Sequence, residues 1–145
     1  MSETGQIAVK AMGVIRRPRD GALLVCEYDG PDSEPFHRLL GGHVEFGEHA
    51  EEALRREFLE EIDQEIDRLE FLGVIESFFR WRGSDGHEVV FVYSAEFVNP
   101  LAYGVEEHEI LDEPDEDSRV IWRDPAADSP PLYPDGVASR GWVSR

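Results

Sequence analysis

Apolar residues are spaced in two ways along this 145-residue chain, and the change from one to the other marks out its elements. Gln6 to Arg16 and Gly21 to Tyr28 are β-rich runs joined by Arg17-Pro18-Arg19-Asp20-Gly21, whose Pro and Asp-Gly mark a turn, so a hairpin is expected. A polar loop over 29–35 leads to a short extended segment, Phe36 to Leu40, which runs into Gly41-Gly42. The spacing then lengthens. Leu54, Phe58 and Ile62 recur every fourth residue with Ala50 and Ala53 behind them, which predicts an amphipathic helix from about Glu48 to Ile62. Glu48, Glu51 and Glu52 fall in its first turns, where the helix dipole favours acids. Leu69 to Trp81 and Val89 to Phe97 read as two longer strands around a hairpin loop, Arg82-Gly83-Ser84-Asp85-Gly86. Val120 to Trp122 is a further short strand, and the Pro-rich tail is expected to hold a helix near Pro134 to Arg140. Strands before and after a central helix indicate an α+β, mixed-sheet sandwich in one domain over 1–145, with no internal repeat.

Charge narrows the function classes. With 32 acidic against 14 basic residues the chain carries a net charge of −18, and Lys10 is its single lysine. Binding to a nucleic-acid backbone depends on Lys and Arg neutralising phosphates, so no nucleic-acid partner is expected. A smaller anionic substrate would need bound cations or a local cluster of Arg to approach such a surface. The one cysteine, Cys26, follows the apolar run Ala22-Leu23-Leu24-Val25 and reads as core; lacking an intrachain partner, it suits a reducing compartment. There is no signal-like h-region and no run of 18 apolar residues, so no membrane is expected and the chain reads as soluble and cytoplasmic.

The chemistry concentrates in the predicted helix and the glycines ahead of it. Glu57, Glu60 and Glu61 stand at i, i+3 and i+4 on one helix face. On the helical wheel Glu57 and Glu61 lie beside the Ala50-Leu54-Phe58-Ile62 stripe, whereas Glu52, Arg55, Arg56 and Leu59 are turned away from it. Carboxylates at the edge of a core are partly desolvated and repel one another. A cation is the economical compensation, and hard oxygen ligands suit Mg2+ or Mn2+. Gly42, with no Cβ, can turn tightly and present its carbonyl to such a cation.

Gly42, Glu48, Arg56, Glu57, Glu60 and Glu61 also stand at the offsets Gly, five residues, Glu, seven residues, Arg-Glu, two residues, Glu-Glu. The segment from Gly42 to Gln64 thereby resembles the signature of the Nudix hydrolases, enzymes that cleave a nucleoside diphosphate linked to another moiety. The flanking Leu39-Leu40-Gly41-Gly42 and Val44-Glu45-Phe46-Gly47-Glu48 look typical of it too. The resemblance implies an α/β/α sandwich with a mixed β-sheet. It further implies that Glu60 and Glu61 bind the divalent cation with the Gly42 carbonyl, and that Glu57 is a ligand or the base acting on water. Glu48 and Arg56 would orient the loop and helix. Asp63 and Gln64 depart from the pattern, which has Gly and then an aliphatic residue there. Asp tolerates the left-handed conformation less well than Gly, so an altered helix exit is expected.

Members of the family commonly add a late acidic ligand or base, for which Glu106, Glu107 and Glu109 stand first in the run that continues through Asp112 to Asp117, with Glu88 as another candidate. Arg38, Arg80 and Arg82 are candidates to grip phosphate oxygens, and Phe36, Phe78, Phe79, Trp81 and Tyr103 to stack on a base. His37, His43, His49, His87 and His108 show no metal-ligand spacing and read as surface or loop residues. The substrate expected first is a nucleoside triphosphate, as for MutT-like pyrophosphatases. Dinucleoside polyphosphates and sugar nucleotides stand behind it, and a non-catalytic module that senses a nucleotide metabolite is the alternative. A small-molecule nucleotide is thus the expected partner, with a homodimer left open.

Overall fold

The computed structural model describes residues 5–29, 34–81, 83–112 and 118–143, without the side chain of Trp81. Eight strands surround one α-helix among these residues: β1 (Ala8–Ile15), β2 (Leu23–Tyr28), β3 (Phe36–His43), α1 (Ala50–Ile62), β4 (Ile66–Trp81), β5 (Ser84–Phe97), β6 (Glu107–His108), β7 (Ser118–Arg123) and β8 (Leu132–Tyr133). The strand order is β4-β5-β1-β3-β2-β7-β6, with β8 beside β3. β1 runs parallel to β5 and β3 parallel to β8, while the other pairings are antiparallel, so the sheet is mixed and the fold is α+β as expected.

Strand alternation divides the core between the two faces. Ala11, Ile15, Leu24, Cys26, Leu40, Ala95 and Phe97 pack with Ala53, Leu54, Phe58 and Ile62 of α1. Met12, Val14, Leu23, Val25, Leu39, Val90 and Val92 point the other way, against Val137 and Val143 of the C-terminal segment. This period of two is what a sheet buried on both faces requires. Phe58 is fully buried, a burial worth about 1.5–3 kcal/mol. Gly13 lets it lie flat on β1, since a Cβ there would stand 3.3 Å from the Phe58 ring.

Four local expectations are corrected. β1 and β2 meet only at the Arg16↔Leu23 bridge and do not form a hairpin, because β3 inserts between them and pairs with both. The β4–β5 pairing runs to Trp81↔Ser84, through most of the segment expected as a loop. Gly86, read as a turn residue, lies under the ring of Phe79, where a Cβ would stand 2.2 Å from Cζ. The tail forms only a 3-10 turn over Ala138–Arg140, since positive-φ glycines at Gly136 and Gly141 leave too little room for an α-helix. Helix α1 starts at Ala50 rather than Glu48, with His49 as its N-cap and the Glu52 carboxylate accepting from the His49 N–H at 2.9 Å.

At the other end, Asp63 holds φ 55° and ψ 44°, and its N–H reaches the Leu59 carbonyl at 3.1 Å. The helix exit thus keeps the left-handed geometry that Gly would adopt without strain. Asp63→Gly is expected to stabilise the fold by about 1 kcal/mol, about 2–4 °C in Tm for a chain of this size. Urea unfolding of the two proteins measures this, and an unchanged midpoint would show that Asp63 carries no strain.

Among the described residues no helix is long and apolar enough to cross a membrane.

Candidate active site

One arginine organises the loop between β3 and α1. Arg56 donates from Nε and Nη2 to the two oxygens of Glu48 at 2.8 and 3.0 Å, and from Nη2 to the His43 carbonyl at 3.0 Å. Its Nη1 reaches Glu57 at 3.1 Å and Glu60 at 3.0 Å. Glu48 also accepts from the Glu45 N–H at 3.0 Å, which ties both ends of the loop to one side chain. The Arg56 hydrogen bonds, helped by the Glu45 N–H, hold the Glu48 carboxyl down at about 2. Glu48 and Arg56 therefore sit as a loop clamp.

The clamp borders a cleft of about 300 Å³ whose lining includes Lys10, Tyr28, Arg38, Gly42, Glu57, Glu61 and Asp112. The Glu57 carboxylate lies on Gly42, where a Cβ would stand 2.2 Å from its carboxyl carbon. Position 42 must lack a side chain for Glu57 to lie there. Gly41 answers to backbone instead, since a Cβ there would stand 2.0 Å from the Ala11 carbonyl oxygen.

Burial pushes Glu57 up, against the Arg56 hydrogen bond. Glu61 is pushed up to about 7, first by burial and then by the charges of Glu57 and Asp112, with Lys10 opposing. Glu57 and Glu61 are partly desolvated and both feel the charge of Asp112, and the three carboxylates form a hard-oxygen donor set that a divalent cation fits. Among the described residues no three His, Cys, Asp or Glu side chains already stand in coordinating geometry. The fit rests on the donor set and on the Glu57 carboxylate lying directly on the Gly42 backbone.

Of the candidate ligands, Glu57 and Glu61 meet in the cleft. Glu60 does not; it is exposed and held by Arg56, because its position on the helix turns it away from the sheet. Glu106, Glu107 and Glu109 do not line the cleft either. Glu106 lies 3.6 Å from both Arg17 and Arg19, Glu107 in β6 lies 3.7 Å from Arg119, and Glu109 is exposed. Among the described residues the late acid that reaches the cleft is Asp112, carried in by the neighbouring Leu111 N–H, which donates to the Glu61 carbonyl at 2.7 Å. Nothing in the sequence singles it out: Asp112 is exposed like Glu107, Glu109 and Leu111, and only the fold brings it to the cleft.

Arg38 lines the cleft and donates to Glu88 at 3.0 Å. Glu88 is buried under Lys10 and Arg38 rather than offered to a metal. Arg80 is exposed at the far end of the β4–β5 hairpin, paired with Asp85 at 2.6 Å. Phe36 stacks on Tyr28 at 5.2 Å, one layer behind the cleft lining. Arg82, Glu113 and 115–117 lie outside the described residues, as does the side chain of Trp81. Phe78 is exposed and tilted against His87, Phe79 lies beneath Arg38, and Tyr103 packs in the core beside Phe97. His37 and His108, expected at the surface, are buried: His37 bridges Glu27 and Arg123, each at 2.9 Å, and His108 meets the Ala102 carbonyl at 3.1 Å. Cys26 is buried as expected, and burial pushes its thiol up to about 11. Lys10, which carries no motif, went unassigned in the sequence.

Three solved structures share the fold. A MutT NUDIX hydrolase from Burkholderia pseudomallei superposes with a TM-score of 0.69 at 24% identity, over 96% of this chain and 99% of that one. The E. coli ORF135 protein gives 0.56 at 20% identity, covering 97% and 88%. A NUDIX hydrolase from Nitrosomonas europaea gives 0.55 at 19% identity, covering 97% and 81%. The model of the NUDIX domain matches residues 7–135, which takes in every strand from β1 to β8, helix α1 and the cleft. The chain belongs to the NUDIX domain family and is a Nudix hydrolase.

Proposed function

We propose that this cleft hydrolyses the diphosphate linkage of a nucleoside triphosphate, releasing a nucleoside monophosphate and pyrophosphate, with Mg2+ or Mn2+ as cofactor. The observation that carries the reading is the gathering of Glu57, Glu61 and Asp112 beside Gly42 in a cleft that also holds Lys10 and Arg38. Carboxylates gathered in a cleft, two of them partly desolvated, suit a divalent cation, and cationic side chains nearby suit the anionic substrate. In this reading Glu57, Glu61, Asp112 and the Gly42 carbonyl hold the cation, with Glu60 at the rim. When bound, the ion neutralises charge between adjacent phosphates and lowers the pKa of an attacking water. Glu57, lying on Gly42 and steered by Arg56, would serve either as a ligand of that ion or as the base that takes the proton of the water. Tyr28, backed by Phe36, offers a flat apolar surface to the base. Cys26 as a buried free thiol supports a reducing, cytoplasmic setting for the activity.

The test is a panel of nucleoside triphosphates, dinucleoside polyphosphates, sugar nucleotides and coenzymes with Mg2+ or Mn2+, scored by release of phosphate, pyrophosphate or mononucleotide. Turnover of a nucleoside triphosphate that EDTA abolishes is expected. No turnover of any member, alongside tight nucleotide binding, would overturn the reading in favour of a sensor.

A further inference from the structure

We infer that Lys10, held with Arg38 by Glu88, is the specificity-determining residue that makes the cleft select a free terminal phosphate, and thereby triphosphates over nucleoside diphosphate sugars. The inference rests on the hydrolase reading above and deepens it.

Lys10 is the only lysine in a chain of net charge −18, and it lies in the cleft rather than on the surface. Its Nζ stands 2.8 Å from Glu88, and Arg38 Nη2 stands 3.0 Å from the other oxygen of the same carboxylate. Glu88 is 4% exposed. Two cations on one buried anion leave this wall with a net charge of +1. Ammonium has three donors, and among the described residues Glu88 is the hydrogen-bonding partner of Lys10, so two N–H groups remain for a ligand. Arg38 likewise spends one of its five donors on Glu88, while its guanidinium lies over the Phe79 ring at 5.8 Å.

The position within the sheet is what makes Lys10 selective. Lys10 pairs with His43 across β3 and with Val90 across β5, which sets it in the sheet one residue from Ala11, the partner of Gly42. It lines the same cleft as Glu57 and Glu61, where the charge of Glu57 acts on Lys10 and that of Lys10 on Glu61. A phosphate chain lying on Glu57 and Glu61 through a cation therefore has Lys10 within reach of its next phosphate. In a triphosphate that phosphate is a dianion or monoanion with unesterified oxygens. In a nucleoside diphosphate sugar the same place is taken by an uncharged ring. The wall adds binding for the first and nothing for the second.

A purely structural ion pair would make the same contacts, and the experiment separates the two. Lys10→Met keeps the length of the stem and leaves Glu88 paired with Arg38, and Lys10→Arg keeps the charge. Calorimetry in Mg2+ with inorganic tripolyphosphate and with UDP-glucose reads affinity without turnover. The expected result is a tripolyphosphate affinity at least tenfold weaker in Lys10→Met and within about threefold of the parent in Lys10→Arg. The tripolyphosphate to UDP-glucose affinity ratio falls at least tenfold in Lys10→Met. A ratio that stays put, or a Lys10→Arg protein as weak as Lys10→Met, would overturn the inference. Thermal unfolding of each variant shows whether a loss of binding follows from loss of fold; should Lys10→Met be unfolded, the folded Lys10→Arg and Arg38→Lys proteins decide, the first retaining the ratio and the second lowering it. Failure of the hydrolase reading shows separately, as absence of turnover in a parent protein that still binds tripolyphosphate through Lys10.

Discussion

Glu61→Gln is expected to abolish cation-dependent hydrolysis while making the metal-free protein more stable. Loss of a carboxylate ligand removes charge stabilisation from the reaction, and a fall in kcat/KM on the order of 10³-fold, about 4 kcal/mol, is expected. The stability gain has a separate origin. Glu61 is pushed up from 4.5 to about 7 by burial and by Glu57 and Asp112, so its ionised form is disfavoured in the folded chain. Its contribution is full below about 4.5, where the carboxyl is protonated in both states, and is lost as the pH rises through about 7. Gln, neutral throughout, escapes this loss. In EDTA the variant should melt several degrees above the parent at pH 8, and the difference should vanish near pH 4. Added Mg2+ should raise the Tm of the parent and leave that of the variant in place. A variant that keeps activity within tenfold, or melts lower than the parent in EDTA at pH 8, would remove Glu61 from the reacting centre.

Glu88→Gln is expected to give the largest loss of stability. Glu88 holds Lys10 at 2.8 Å and Arg38 at 3.0 Å and is itself buried. Removing its charge leaves two cations facing each other in a partly dry wall, at a cost of about 3–5 kcal/mol, roughly 10 °C in Tm. Combining it with Lys10→Met should recover part of this, since one of the two unpaired cations is then gone; residues in one ion network are not additive. Thermal unfolding of the parent, both single variants and the double variant measures the coupling. A loss below about 1 kcal/mol for Glu88→Gln, or a double variant that simply sums the singles, would show that solvent reaches the wall and compensates the cations.

Which parts of the site were legible in the sequence follows from the range of the interactions that build them. Glu48, Arg56, Glu57 and Glu61 lie within one loop and one helix, so a 3.6-residue period and a fixed spacing place them relative to one another. Even there the wheel ran short. It set Arg56 on the face turned from the core, yet its guanidinium folds back across a helical turn to Glu48, Glu57 and Glu60, because a long side chain reaches further than its Cβ direction suggests. It also grouped Glu60 with Glu57 and Glu61, although the rotation between them is enough to leave Glu60 exposed. In the late acidic run, composition offered many carboxylates of equal merit. The choice of Asp112 over Glu106, Glu107 and Glu109 was made by β6 pairing with β7 and by the Leu111 N–H on the Glu61 carbonyl.

The chain alone determined the family, the helix and its charged edge from neighbours within about twenty residues, and the α+β class from the order of its elements. Tertiary structure decided the rest. The insertion of β3 between β1 and β2 brings Gly42 beside Ala11, and the parallel pairing of β1 with β5 brings Lys10 to Glu88. Those contacts join residues 30 to 80 positions apart. No local period encodes them, because they are set by which strands the whole core allows to pair.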